Sequence, residues 1–443
     1  MFPGALLRAS GPAGAALAIG LALGLTPGPA QGAGSPHPVP PQPRQEVTVD
    51  TLEGGRILVG NPAPGRGGGP DEWRLVEELR LGEVDGAGPE VFGNVHDVAV
   101  DERGNIYVLD YGSKEVRVFD REGRHLRSMA RDGEGPGEFR YSGFSAEYRI
   151  VWQPPNRLWV ADRYQQLSFD SLGNELTRVG APFGPGTPIS GTAMRDGLRR
   201  GTIAAADGSG FIYQQVRVTD RTTSGDETVS RSRTYGVRVP ISPEHPNPVL
   251  PRDSVLLDSR VSTSTTQTQA SGDGNITIGG TIKVSIPRRV WAFTHGETVW
   301  AANRAAHRFH EVTFAGDTVR TLELGNPPSP PPDDSDDSEF EPLIASLEVS
   351  PEGWLWALRH REDPDESPVW DLFDNCGRYR GEVSSSTRIA APRFGGEEVA
   401  PIDLGAGGVI HGIARDALDV SFVVRLRLQS TSGTAITAEA CRW

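Results

Sequence analysis

The sequence predicts an all-β fold: a six-bladed β-propeller of four-stranded antiparallel blades. Three observations carry this reading. A unit of short apolar strands and tight Gly turns recurs along the chain. A large ring recurs at one register of the second strand. The N-terminal and C-terminal ends of the repeat are complementary, one supplying a strand that the other lacks.

The first unit runs from Asp97 to Met129. A short apolar strand meets the turn Asp101-Glu102-Arg103-Gly104, and Ile106 to Asp110 then return. Val116 to Asp120, a Gly turn at Gly123 and His125 to Met129 complete an antiparallel meander. Similar units contain Leu158-Trp159-Val160, Val299-Trp300-Ala301 and Leu355-Trp356-Ala357, with looser copies at Phe211-Ile212-Tyr213 and Val409-Ile410-His411. The second-strand residues Tyr107, Trp159, Tyr213, Trp300, Trp356 and His411 are spaced 52, 54, 87, 56 and 55 residues apart. The one long spacing spans a Ser/Thr-rich stretch, Val261 to Gly280, read as an insertion. The last unit shows two clear strands and no outer one. Trp73 to Leu81 precedes the first unit and has the character of an outer strand. It is expected to complete the last blade and close the ring, hiding sheet edges that would otherwise seek partners.

Residues 1–30 read as a secretory signal: Arg8, an apolar run from Ala13 to Leu25, then small residues that offer cleavage after Ala30. The run is too short for a comfortable transmembrane helix. Residues 31–46 are rich in Pro and Gly and read as a linker, with the propeller over 47–443. Export places the mature chain in the periplasm or outside the cell. There, Cys376 and Cys441, the only cysteines, are a possible disulfide, with two unrelated thiols as the alternative. The net charge of −14 gives no basic field for nucleic acid.

Two segments, Gly86 to Gly93 and Gly133 to Phe139, are similar to the connectors of NHL-repeat propellers. Asp97 to Asp120, with Val-Asp-x-x-Gly-Asn-Ile-Tyr-Val-x-Asp at its centre, resembles an NHL repeat. The chain as a whole resembles exported bacterial six-bladed propellers without assigned activity. The resemblance implies a propeller and, from other members, a binding platform. Relatives of the same shape that are metal-dependent lactonases or lyases make catalysis the alternative. Fold alone does not choose between them.

The inner-strand starts offer His96, Asp97, Glu147, Arg149, Arg288, Arg289 and Ser346 to a central channel. Two carboxylates, Asp97 and Glu147, interleaved with arginines make a poor calcium cage, so no metal or cofactor is assigned; were a metal bound, these two would be its ligands. Arg149, Arg288 and Arg289 could instead grip an anion by forked hydrogen bonds, with exposed surface arginines as the bland alternative. Long connections between blades should gather on one face. Tyr111, Tyr141, Phe144, Tyr148, Arg163 and Tyr164 are candidate contacts there for a protein, peptide or glycan, unless they pack their own loops. No catalytic residue is assigned: no Gly-x-Ser-x-Gly elbow occurs. The expectation is a monomeric binding scaffold, with a metal-dependent hydrolase or lyase as the alternative.

Overall fold

The Asp-x-x-Gly turns show how the sequence builds its hairpins. Asp101 accepts the backbone N–H groups of Arg103 at 2.9 Å and Asn105 at 2.8 Å. Asp120, Asp170, Asp207, Asp374 and Asp416 each accept from the residues two and four ahead in the same way. The turn then needs a left-handed residue three positions after the Asp. Gly104, Gly123, Gly173, Gly210 and Gly377 supply it, with φ between 79° and 94°. In the last turn Asp419 takes the same place at φ 63°. One carboxylate thus satisfies two backbone donors that a sharp reversal leaves without ladder partners.

The fold is that of a computed structural model describing residues 46–63, 72–141, 148–162, 165–180, 198–240, 254–271, 274–284, 289–294, 296–325, 342–361, 363, 366–389 and 402–441. The signal and most of the linker expected from the sequence lie outside these residues. Residues from Arg44 onward form one compact unit. Among the described residues no helix is long and apolar enough to cross a membrane.

The described residues open with a hairpin, β1 (Thr48–Thr51) and β2 (Ile57–Asn61), followed by the nine-residue β3 (Trp73–Leu81). A meander follows: β4 (Val95–Val100), β5 (Ile106–Asp110), β6 (Glu115–Phe119) and β7 (His125–Met129). The connector holds a two-residue parallel pair, β8 (Arg131–Asp132) and β9 (Glu138–Phe139). The next meander is β10 (Arg149–Gln153), β11 (Arg157–Ala161), β12 (Gln165–Phe169) and β13 (Glu175–Gly180). A five-stranded sheet comes next: β14 (Leu198–Ala206), β15 (Phe211–Ser224), β16 (Glu227–Pro240), β17 (Ser254–Ser271) and β18 (Gly274–Val284). Then come β19 (Arg289–Phe293), β20 (Thr298–Asn303), β21 (Arg308–Thr313) and β22 (Thr318–Leu324). β23 (Ile344–Val349), β24 (Leu355–Arg359), β25 (Val369–Phe373) and β26 (Tyr379–Ser385) follow. The chain ends with β27 (Ile402–Gly405), β28 (Val409–Arg415) and β29 (Ser421–Ser430).

Two pairings tie the N-terminal strands to the C-terminal half. β3 runs antiparallel to β29, from Leu81 opposite Val423 to Trp73 opposite Ser430. It also pairs parallel with β26 over Trp73 to Leu75, which joins two meanders into one eight-stranded sheet. β2 adds itself, parallel, to the outer edge of β22. Asn61, buried, pins that edge to the next meander: its Nδ2 donates to the Gly377 carbonyl at 3.0 Å and its Oδ1 accepts the Tyr379 N–H at 2.7 Å.

The third unit departs from the sequence expectation. The Ser/Thr-rich stretch from Val261 to Gly280, which the sequence reads as an insertion, is built into the sheet: β17 and β18 pair from Ser262 opposite Val284 to Ser271 opposite Gly274. β15 and β16 have 14 residues each, against five in β5 and β6. Thr, Ser, Val and Ile favour extended backbone. Polar residues on both faces remove the alternation by which such strands are recognised.

The core lies between successive meanders. Tyr107 is fully buried and stacks on Trp152 of β10 at 5.3 Å. Tyr213 packs against Phe293 and Phe314, and Trp356 against Trp370 in a cluster that includes Trp73. Burying each such side chain stabilises the fold by roughly 1.5–3 kcal/mol. A disulfide joins Cys376 to Cys441. It straps the C-terminal segment over β26, where Trp354 donates to the Thr437 carbonyl at 2.9 Å and Arg380 pairs with Glu439 at 2.7 Å.

Candidate site on the inner strands

The cross-strand register shows where the repeat is broken. The residue directly opposite each second-strand ring lies on the first strand of its unit. Ala99 faces Tyr107, Val151 faces Trp159, Ala205 faces Tyr213 and Ala292 faces Trp300. At the same place β23 puts Glu348 opposite Trp356, and β27 puts Asp403 opposite His411. Directly opposed residues project from the same face of the sheet. Two consecutive units therefore carry a carboxylate where four carry a small or branched apolar side chain.

These acids are part of one electrostatic cluster with residues of β4 and β10. Glu348 is only partly exposed, and burial lifts its carboxyl to about 8; Arg149 opposes the shift, while Asp403 and Asp97 add to it. Asp403, also partly exposed, is raised to about 7, first by burial; the Val100 N–H opposes this and Asp97 adds to it. Both keep some contact with solvent, yet protein surrounds them closely enough that their charged forms are poorly hydrated. Asp97 is buried and raised by that burial, with Arg149 acting the other way. His411 is 3 % exposed, and neither ring nitrogen has a hydrogen-bond partner. Burial holds it at about 4, so it is neutral at neutral pH.

The structure separates the residues expected from sequence. Asp97 and Arg149 belong to the same cluster. Asp97 is also committed to structure: its Oδ1 accepts the Val98 N–H at 3.0 Å and its Oδ2 the Ile150 N–H at 2.9 Å, which ties β4 to β10. Arg149 is exposed. Arg289 starts β19 and acts electrostatically on His310. Glu147, Arg288, Phe144, Arg163 and Tyr164 lie outside the described residues. Tyr141 and Tyr148 are buried, and Tyr111 is half-buried. Tyr111 stacks on Tyr148 at 5.3 Å, Tyr148 lies 5.6 Å from the ring of His96, and the Tyr141 hydroxyl donates to the Ala130 carbonyl at 3.0 Å. These rings pack the connector between the first two meanders. Buried among them, His96 is lowered to about 4 by burial and by the Arg415 guanidinium.

Sequence reasoning missed Glu348 and Asp403. The signal was present: counting eight residues back from Trp356 and His411 reaches an acid, whereas the same count from the first four rings reaches Ala or Val.

Residues 92–119, which span β4 to β6 and the Asp101 turn, match the NHL repeat family. Over these residues the chain is similar to an NHL repeat. No curated protein matches it. Among solved structures, the chain is similar to a protein from Bacteroides fragilis inferred to be exported, with 12 % identity over 84 % of this chain and 99 % of that one, at a TM-score of 0.39. It is similar to regucalcin, a calcium-binding protein from Agrobacterium tumefaciens, with 11 % identity over 80 % and 95 % of the two chains and a TM-score of 0.33. Virginiamycin B lyase from Staphylococcus aureus gives 9 % identity over 80 % and 99 % and a TM-score of 0.35.

Proposed function

We propose that this chain is an exported, monomeric six-bladed propeller that serves as a binding scaffold for a protein, peptide or glycan. In this reading residues 1–30 are the signal, 31–46 the linker and 47–443 the propeller. β3 is the outer strand of the last blade, and the ligand is held where the inner strands and the long inter-blade connections meet. The observation that carries the reading is the broken register: polar groups replace apolar ones at Glu348 and Asp403 while the surrounding rings keep the frame rigid. Arg149, exposed beside them, is the cationic contact.

The test is a screen of the mature chain against peptide and glycan arrays, with Arg149→Ala as the control. Specific binding that Arg149→Ala weakens by at least tenfold supports the scaffold. Turnover of a bound compound overturns it in favour of the second reading, a metal-dependent hydrolase or lyase. One observation favours that alternative: carboxyls at about 8 and about 7 can exchange protons at neutral pH. Loss of turnover on chelation would separate a metal-dependent reaction from simple proton transfer.

A further inference from the structure

We propose that Glu348, Asp403 and His411 form a recognition site for an organic ammonium group, the head of a protonated amine. The inference deepens the binding-scaffold reading and rests on it.

The first argument is the register. Nothing in the fold requires an acid opposite the second-strand ring, because four units place Ala or Val there. The second is independent of the acids. His411 occupies the position of a large ring but is smaller, is 3 % exposed, and leaves both ring nitrogens without a partner. A buried imidazole of this kind costs free energy unless something donates to its unprotonated nitrogen. It stands directly across the ladder from Asp403, on the same face, so the same ligand can meet both.

Charge decides the class of ligand. The acids attract a cation, and the neutral His411 does not repel it; Arg425, opposite His411 on the other side of the ladder, is paired with Glu78 at 3.3 Å. Three carboxyls, Asp97, Glu348 and Asp403, share the single guanidinium of Arg149, which acts on both Glu348 and Asp97. The raised affinity of Glu348 and Asp403 for protons reflects burial that one guanidinium among three carboxyls does not offset, and an arriving ammonium group would add the missing positive charge. Geometry disfavours a metal ion. Metal ligands must converge on one point within about 2.3–2.6 Å. Among the described residues no three His, Cys, Asp or Glu side chains do so. An ammonium group instead donates along several directions to separated acceptors, each at about 2.7–2.9 Å.

The experiment is titration calorimetry of the mature chain with n-butylamine, 1-butanol and calcium chloride, run at pH 7.5 in two buffers of different protonation enthalpy. The expected result is binding of butylamine at least tenfold tighter than butanol, with proton release to the buffer. Glu348→Gln with Asp403→Asn should weaken butylamine tenfold or more and abolish the proton release. His411→Phe restores the ring of the other units and so keeps the fold; it should weaken butylamine by about threefold to tenfold. Equal binding of butanol, unchanged binding in the double variant, or calcium binding in place of the amine overturns the proposal. Array binding that depends on Arg149 but ignores all three probes would overturn the ammonium site alone and leave the scaffold standing.

Discussion

The inner strands of the first four units and of the last two solve the same packing problem with different chemistry. In β4, β10, β14 and β19 the residue opposite the buried ring is Ala99, Val151, Ala205 or Ala292. In β23 and β27 it is Glu348 or Asp403. The backbone register is unchanged, so the repeat fixes where a side chain stands and leaves its chemistry open. A repeat protein can acquire a site by such substitutions without rebuilding its frame, because the hairpin turns and second-strand rings hold the strands in place independently.

The most forceful way to break the comparison is to remove a ring from each region. Trp300 is 2 % exposed and packs with Phe309, Leu347 and Leu355, with the Arg320 guanidinium 5.0 Å above its ring. Trp300→Ala should cost about 3–5 kcal/mol, read by denaturant unfolding. His411→Ala should cost much less, because the ring it removes leaves two polar atoms unpaired. Equal losses would show that His411 is as much a packing residue as the tryptophan.

Next in size is the C-terminal strap. Cys376 and Cys441 are 65 residues apart in sequence, and opening a loop of that length should lower stability by about 2–5 kcal/mol. Cys376→Ser with Cys441→Ser should lower Tm by several degrees. Hydrogen exchange should rise around Thr437 and Glu439, and much less in β4 to β7, if the two regions are held independently.

The acids themselves sharpen the comparison through pH. Glu348 at about 8 and Asp403 at about 7 lie above their ordinary values of 4.5 and 3.8. The folded chain therefore holds protons that the unfolded chain has lost, and stability falls as pH rises through these folded values. His96 and His411, both at about 4, act in the opposite sense: they withhold protons that the unfolded chain takes up below 6.5. The effects oppose one another between about 4 and 6.5, and only the acids remain above that. Unfolding free energy should then drop by on the order of 1–2 kcal/mol between pH 6.5 and 8, allowing for partial exposure. Glu348→Gln with Asp403→Asn should flatten that drop. A wild-type profile already flat over this range would remove the acids from the account.

Much of the frame was legible because it repeats. Rings at steady spacing, Asp-x-x-Gly turns and the outer-strand character of Trp73 to Leu81 are each signalled by a few neighbouring residues. The arms formed by β17 and β18 were not legible, because Thr and Ser on both faces carry no alternation. The site was half legible. Asp97 and Arg149 follow from their place at strand starts. Glu348 and Asp403 depend on which residue faces which across a hairpin, and that follows from the length of the turn between them. Cys376 and Cys441 were a possible pair by elimination alone, and only the folding of the tail across β26 brings them together.

The smallest effect tests the turns that make the frame indifferent to its inner residues. Five of the Asp turns place Gly at the left-handed position, whereas the β28–β29 turn places Asp419 there at φ 63°. An L-residue held in that conformation costs about 1 kcal/mol relative to Gly, less for Asp than for most. Asp419→Gly recovers part of this. It gives some back through the freer unfolded chain, and it loses the Arg415–Asp419 pair at 3.4 Å, whose acid is half exposed. The balance should be a gain of about 0.5 kcal/mol, measured by denaturant unfolding. The same substitution at Asp416, whose side chain accepts the Leu418 and Val420 N–H groups at 2.9 Å, should instead cost about 1–2 kcal/mol. Opposite signs three residues apart would show that the turn depends on one carboxylate and one backbone angle. Matching signs would mean that the Arg415–Asp419 pair holds the turn.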